Sequence, residues 1–167
     1  MGTLEGTFQE VGIEGAFIQP LSVISTSGGP VLHFLRKEYA LMPFQKDFGE
    51  IYFSEVYPGE VKAWKRHTRQ NQLFAVPYGL LRIVLYDTRN GSKTQNNLIE
   101  LILGRPDNYM LLRIPNQVWY GFSAEGNTSA LICNAADIPH DPNESERLPA
   151  DSNRIPYTFK QKQTNTA

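Results

Sequence analysis

Histidine is the side chain best suited to carry protons near neutral pH, and the chain contains three: His33, His67 and His140. In an extended strand, alternation points Lys65, His67 and Arg69 to one face. An imidazole within a basic face suits an anionic ligand and can accept a proton at neutral pH, so His67 is the best candidate for a general base. The alternative interpretation is a structural histidine among ordinary surface charges.

The histidine count argues against a metal site. Neutral imidazoles that bind an ion from a β-strand alternate on one face, with a carboxylate and a further histidine to complete the ligand set. The stretch Lys65-Arg66-His67 provides one histidine. The sequence therefore predicts no metal and no cofactor.

Two further side chains could carry chemistry, and each has a structural alternative. Cys133 ends the apolar run Ala130-Leu131-Ile132, where a cysteine is more often an inert buried residue than a nucleophile. Tyr120 could donate a phenolic proton or stack on a base or sugar, although aromatic clusters in β-barrels usually belong to the core.

The elements that position these residues are short strands. Apolar residues recur at every second position, with turn signals about every eight to twelve residues, a pattern typical of a sandwich or barrel. We predict a single all-β domain over residues 1–159, a flexible polar tail over 160–167, and at most one short helical turn within 37–48. The predicted strands are 15–21, 31–35, 51–56, 61–66, 72–76, 80–86, 98–103, 109–114, 118–122 and 130–134.

Composition narrows the classes of partner. The net charge of −1 creates no field that would attract nucleic acid or anionic lipid, and no apolar run approaches the roughly 18 residues of a membrane span. The single cysteine cannot form an intramolecular disulfide, and the first residues lack a secretion signal, so we expect a cytoplasmic protein.

The order of the segments resembles a known family. A strand ends in His67, Gly79 precedes Arg89 by ten residues, and an Ile114-Pro115 loop leads to Gly121-Phe122. This arrangement resembles the dTDP-4-dehydrorhamnose 3,5-epimerase family, and the likeness extends over residues 49–157.

The resemblance implies a cupin fold, which is a double-stranded β-helix or jelly-roll barrel, and a homodimer that exchanges strands. It also implies a nucleotide-linked 4-keto-6-deoxy sugar as substrate and catalysis without a metal. In that family a histidine paired with an aspartate removes the proton next to the ketone, a basic residue stabilises the enolate, and a tyrosine on the opposite sugar face returns a proton. The histidine falls on His67 and the aspartate on Asp151, with Asp141 as an alternative.

Other family positions are substituted in this chain. The arginine of the histidine motif falls on Trp64, the lysine on Gln72, the loop histidine on Tyr120 and the acid tyrosine on Cys133. Our leading hypothesis is a divergent epimerase in which Tyr120 or Cys133 acts as the proton donor. Substrate-binding roles are assigned to Lys65, Arg66, Arg69, Gln72, Arg82 and Trp119.

Two other functions remain open from the sequence. The losses at the lysine and tyrosine positions are compatible with a binding module that kept the sugar pocket without catalysis. A different small-molecule cupin enzyme, such as an isomerase or lyase of a keto sugar or keto acid, is the third hypothesis.

Overall fold

The structure is a computed structural model that describes residues 8–36 and 48–160, and these ranges contain β-strands but no α-helix. The strands are β1 (Gln9–Glu10), β2 (Phe17–Pro20), β3 (Val23–Ile24), β4 (Val31–Leu32), β5 (Glu50–Val56), β6 (Val61–His67), β7 (Gln72–Tyr78), β8 (Leu80–Asp87), β9 (Leu98–Gly104), β10 (Met110–Ile114), β11 (Val118–Glu125), β12 (Ala130–Ala136) and β13 (Ser145–Arg147).

The strands form two large antiparallel sheets and a small one. The first sheet has the order β1-β2-β10-β7-β12-β5, and the second has the order β13-β6-β11-β8-β9. Strands β3 and β4 pair separately. Most neighbours within the sheets are distant in sequence, as in a jelly roll. The predicted all-β cupin class is confirmed.

Side-chain alternation divides each sheet into an inner and an outer face. On β8, Leu81, Ile83 and Leu85 are fully buried and pack in the main core cluster with Phe74 of β7. This cluster joins the inner faces of the two sheets. Some members of the cluster, among them Phe74, also line the cavity described below.

The outer face of the second sheet carries a separate aromatic cluster. Trp64 of β6 and Trp119 of β11 pack there against Ile155 and Phe159 from the segment that follows β13. The ring of Phe159 lies 5.3 Å from that of Trp64 between centroids. The segment 148–159 therefore covers part of the outer face of the second sheet.

The spacing between Gly79 and Arg89 has a structural explanation. Gly79 has a φ of +73°, and an added Cβ would lie 2.2 Å from the Ser129 carbonyl oxygen. The Asp87 carboxylate is fully buried and accepts hydrogen bonds from Arg89 Nε at 2.9 Å and Nη2 at 2.8 Å. Burial alone would raise the pKa of Asp87, but the hydrogen bonds, chiefly from Arg89, outweigh it and hold that pKa well below its ordinary range. Gly79 therefore permits the tight turn between β7 and β8, and Arg89 holds the turn that follows β8.

Each predicted strand overlaps an observed one, whereas three short strands were not predicted. The missed strands are β1, β3 and β13. Strand β13 matters most because it pairs with β6 and places Ser145 opposite His67. The predicted helical turn at 37–48 lies, apart from its last residue, outside the described residues, as do positions 161–167 of the predicted tail.

Candidate active site

A cavity of about 420 Å³ opens between the two sheets. Strands β5, β7 and β12 form one wall, and β6, β11 and β13 form the other. Its apolar lining includes Phe74, Phe122 and Ile132. The polar side chains that line it are Tyr52, Ser54, Lys62, Lys65, Tyr120, Asn134 and Arg147.

A buried acid–base chain lies next to the cavity and joins residues of β6 and β11 to the residue before β13. His67 is 4% exposed, and its Nδ1 contacts Glu144 Oε1. Its Nε2 lies 3.1 Å from the Tyr120 hydroxyl. The second Glu144 oxygen accepts hydrogen bonds at 3.2 Å from the backbone N–H groups of Arg69 and Gln70, which fix the carboxylate in place.

The charges of this chain follow from its surroundings. Burial lowers the pKa of His67, an effect that Glu144 opposes in part. Burial would raise the pKa of Glu144, but hydrogen bonds from His67 and the two backbone groups outweigh it and lower that pKa. An ionised carboxylate can only accept, so Nδ1 of a neutral His67 carries the proton and Nε2 accepts from Tyr120. The imidazole is therefore held as a base.

The mouth of the cavity is basic. Lys65 on β6 and Arg147 on β13 are register partners, and both line the cavity. Burial, followed by the charge of Arg147, lowers the pKa of Lys65. Lys62 lies nearby and donates to Ser54 Oγ at 3.1 Å. Three cations at one opening suit an oxyanion or a phosphate group.

The opposite wall presents a second phenol. Tyr52 on β5 accepts a hydrogen bond at 2.7 Å from Asn134 Nδ2, and Asn134 also contacts the Gln72 side chain. Burial raises the pKa of Tyr52. Since the Tyr52 hydroxyl is 2.7 Å from a fixed amide, its position on this wall is defined. It faces the cavity from the sheet that does not contain Tyr120.

The expected partner of His67 requires a correction. The carboxylate against His67 belongs to Glu144, whereas Asp151 lies exposed in a turn after β13. Asp141, the alternative, is bonded to Arg69 at 2.7 Å between Nη2 and Oδ2. The pairing with Asp151 was wrong because strand β13, which was not predicted, places Glu144 beside His67.

Cys133 also does not reach the cavity. Its neighbours Ile132 and Asn134 line the cavity, so alternation along β12 turns Cys133 to the other face of the sheet. Burial raises the pKa of its thiol to about 11. The structure therefore gives no support to Cys133 as a proton donor, whereas Tyr120 lies in the cavity wall.

Of the six residues assigned to substrate binding, the structure places Lys65 in the cavity wall. Arg66 lies on the outer face, 4.7 Å above the Trp119 ring, and bonds Glu146 at 2.7 Å. Arg69 is engaged with Asp141 at the surface, as described above. The assignments of Arg66 and Trp119 are corrected because alternation along β6 and β11 directs them away from the cavity. The assignment of Arg69 is corrected because Arg69 lies beyond the end of β6, where it pairs with Asp141.

The other two substrate-binding assignments are also corrected. Arg82 is on the outer face of β8, where it bonds Glu125 at 2.7 Å and also contacts Glu100. Gln72 is buried behind the wall and bonded to Asn134, so it supports the cavity without lining it. Arg82 was assigned to substrate binding by its charge alone, but ion pairs with Glu100 and Glu125 already neutralise that charge.

Sequence reasoning missed several residues of the site, namely Tyr52, Lys62, Asn134, Glu144 and Arg147. Tyr52 had a usable signal, since it alternates with Ser54 and the fully buried Val56 on one face of β5. Glu144 and Arg147 lie in a stretch that contains Pro142 and several charged residues, and such a sequence is typical of a loop.

No ligating cluster of three or more histidine, cysteine, aspartate or glutamate side chains occurs in residues 8–36 and 48–160. The same part of the chain has no helix that is both long and apolar enough to span a membrane.

The barrel is that of a cupin, and its buried imidazole–carboxylate pair beside a cavity is an arrangement suited to acid–base chemistry. No known protein-family model matches the chain. Curated relatives do: it is 34% identical over 141 residues to the probable low-salt glycan biosynthesis epimerase Agl13 of Haloferax volcanii, covering 84% of this chain and 85% of that protein. It is 31% identical over 149 residues to the spore coat polysaccharide biosynthesis protein SpsL of Bacillus subtilis, covering 88% of this chain and 96% of the relative.

Solved structures of sugar-nucleotide enzymes are also similar to this chain. The crystal structure of a dTDP sugar isomerase from Desulfovibrio desulfuricans G20 is 56% identical, with a TM-score of 0.83 over 88% of this chain and 92% of that one. A dTDP-6-deoxy-D-glucose-3,5-epimerase from Legionella pneumophila shares the fold at 17% identity, with a TM-score of 0.80 over 94% of this chain and 85% of that one. The chain belongs to the dTDP-4-dehydrorhamnose 3,5-epimerase family, as a divergent member.

Proposed function

We propose that the protein epimerises a dTDP-linked 4-keto-6-deoxy sugar by removing a proton from the carbon next to the ketone. The observation that carries this proposal is the buried Glu144–His67 pair, joined through Tyr120 to a cavity with a basic mouth. The 56% identical neighbour is described as a dTDP sugar isomerase, which supports the same substrate class.

The ketone makes the reaction feasible, because it acidifies the adjacent C–H bonds and receives the electron pair as an enolate oxygen. The neutral His67 imidazole is the proton acceptor, and the imidazolium that forms is stabilised by Glu144. Lys65 and Arg147 are the cations available to the enolate oxygen and the diphosphate. One preorganised donor near a developing oxyanion is worth about 3 kcal/mol.

Inversion of a carbon centre also requires a proton from the opposite face of the sugar. Tyr52 lies on the wall opposite Tyr120 and has a hydroxyl fixed by Asn134. We assign this return of the proton to Tyr52, since Cys133 faces away from the cavity. Tyr52 thus takes the role that the resemblance gives to a tyrosine at the position that Cys133 occupies in this chain.

We further propose that the protein acts as a homodimer. Strand β5 is an edge strand of the first sheet, with β12 on one side, and exposes Ile51 and Phe53 at 50% and 66%. An exposed apolar edge strand favours pairing with another chain. A second copy on β5 would stand beside the cavity, because Tyr52 of the same strand lines it.

The function is tested by proton NMR of the protein with a dTDP-4-keto-6-deoxyhexose in deuterium oxide. We expect the C3 or C5 proton signal to disappear and signals of an epimer to grow. Binding of the sugar nucleotide, seen as line broadening, without loss of either signal would overturn the proposal and favour a binding module.

A further inference from the structure

We propose that the Tyr120 hydroxyl, rather than the His67 imidazole, exchanges the proton with the sugar carbon, and that His67 and Glu144 act behind it as a relay. This inference rests on the proposed function. It concerns which atom of the protein meets the substrate.

Both ring nitrogens of His67 are already engaged. Nδ1 contacts Glu144, and Nε2 lies 3.1 Å from the Tyr120 oxygen. His67 is 4% exposed and contributes no surface to the cavity wall, whereas Tyr120 does. A sugar in the cavity therefore meets the phenol before the imidazole.

The Tyr120 ring is held in this position by packing. It stacks on the His67 ring with 6.0 Å between centroids and an angle of 11°, and on Phe122 with 6.3 Å and 13°. Phe74 packs edge-on against it at 5.8 Å. For a sugar carbon to reach His67 Nε2, this ring would have to leave a site closed on three sides. The packing favours transfer through the hydroxyl.

Each proton that leaves one group in the relay is taken up by another. The C–H bond of the sugar breaks, its electron pair moves into the enolate, and the proton forms a new O–H bond with Tyr120. In the same step the original Tyr120 proton passes to His67 Nε2, and the imidazolium is neutralised by Glu144. Tyr120 is uncharged before and after the step. That matters because burial raises the pKa of Tyr120 far above its ordinary value, so a free phenolate is disfavoured.

A solvent isotope effect on the wild-type protein distinguishes the relay from direct abstraction of the proton by His67. Tritium is placed at the exchanging carbon of a dTDP-4-keto-6-deoxyhexose, and its release is timed in H₂O and in D₂O on the plateau of the pH profile. In the relay a solvent-derived proton moves from Tyr120 to His67 during C–H cleavage, so we expect slower release in D₂O. Direct abstraction by neutral His67 moves no such proton, and equal rates in H₂O and D₂O would overturn the relay. A substrate isotope effect confirms that C–H cleavage limits the rate.

Substitutions give a second test. Tyr120→Phe and His67→Gln are each expected to slow exchange by about 10²-fold or more, the usual contribution of a positioned acid or base. The double variant should be no slower than either single one, since both remove the same relay. Tyr86→Phe, which removes a phenol on the outer face of the second sheet, is the matched control and should keep the wild-type rate.

The outcomes distinguish the relay from the proposed function. If Tyr120→Phe exchanges at the wild-type rate once saturated with sugar nucleotide, the hydroxyl only orients ligands and the relay is wrong. If the wild-type protein itself exchanges no carbon-bound proton, the proposed function is wrong as well.

Discussion

The strength of His67 as a base is set by two opposing contributions. Burial lowers its pKa below the ordinary value of 6.5, while the Glu144 carboxylate raises it in part. The imidazole is therefore neutral and able to accept a proton across the neutral range. Activity should fall with acidification only below pH 6.5, where His67 becomes protonated.

The role of Glu144 is tested by Glu144→Gln. Loss of the negative charge lowers the pKa of His67 further, so the acid limb of the kcat/KM profile moves to lower pH. The maximal rate should fall by roughly tenfold to a hundredfold, the worth of a charged hydrogen bond to the imidazolium. Glu146→Gln is the control, since Glu146 bonds Arg66 outside the cavity. An acid limb that stays in place or moves to higher pH would contradict this role.

At the scale of residues, sequence predicted His67 and Tyr120 in the site but not Glu144. His67 is identified by its side chain and by its place on a basic strand face. Glu144 lies 77 residues away, and its contact depends on how β13 aligns with β6. A pairing over that distance leaves no local periodicity in the sequence. The aspartate suggested by the resemblance was therefore placed on Asp151.

Strands β5 and β11 belong to opposite sheets, and the proposed inversion depends on this separation. Tyr120 on β11 and Tyr52 on β5 line opposite walls of the same cavity. A sugar ring between them presents one face to each phenol. Groups on one wall can remove and return a proton at one face only, so inversion needs both strands.

This geometry predicts a separation of exchange from inversion in Tyr52→Phe. We expect the variant to incorporate deuterium at the reacting carbon while forming epimer at least about tenfold more slowly, since one proton donor is lost. Proton NMR of the recovered sugar measures both. Tyr57→Phe, at a 62% exposed position after β5, serves as the control. Equal rates of epimer formation in Tyr52→Phe and the wild type would exclude Tyr52 as the donor.

At the scale of elements, the strands could be predicted because the alternation of apolar and polar residues is a local pattern. The long strands β5 to β12 each show it or form short apolar runs bounded by turns. Strand β13 has three residues and its pattern of Ser145, Glu146 and Arg147 is polar throughout. Hydrogen bonds to β6, rather than burial of an apolar face, make it a strand, so hydrophobic patterning gave no signal.

Among the described strands, β5 pairs with β12 on one side only, so its other edge is free beside the cavity. Phe53 is 66% exposed there, and Ile51 is 50% exposed. Burial of these side chains against a second copy would stabilise a dimer by about 1.5–3 kcal/mol for each fully buried large apolar side chain. The edge therefore predicts an association that composition and net charge did not reveal.

The dimer is tested by Phe53→Glu. A charge on the edge strand disfavours pairing, so we expect the wild type to sediment as a dimer and Phe53→Glu as a monomer. Tyr78→Glu, at another exposed aromatic position (60%), is the control and should remain dimeric. A wild-type protein that sediments as a monomer at all concentrations would refute the homodimer.

The most direct test of acid–base catalysis at His67 is deuterium exchange at C3 and C5 of a dTDP-4-keto-6-deoxyhexose. Exchange is compared between the wild type, His67→Gln and His140→Gln. His140 is exposed and lies outside the cavity lining, so its variant controls for loss of an imidazole. We expect exchange in the wild type and His140→Gln and at least about 10²-fold slower exchange in His67→Gln. Wild-type exchange in His67→Gln would contradict the account.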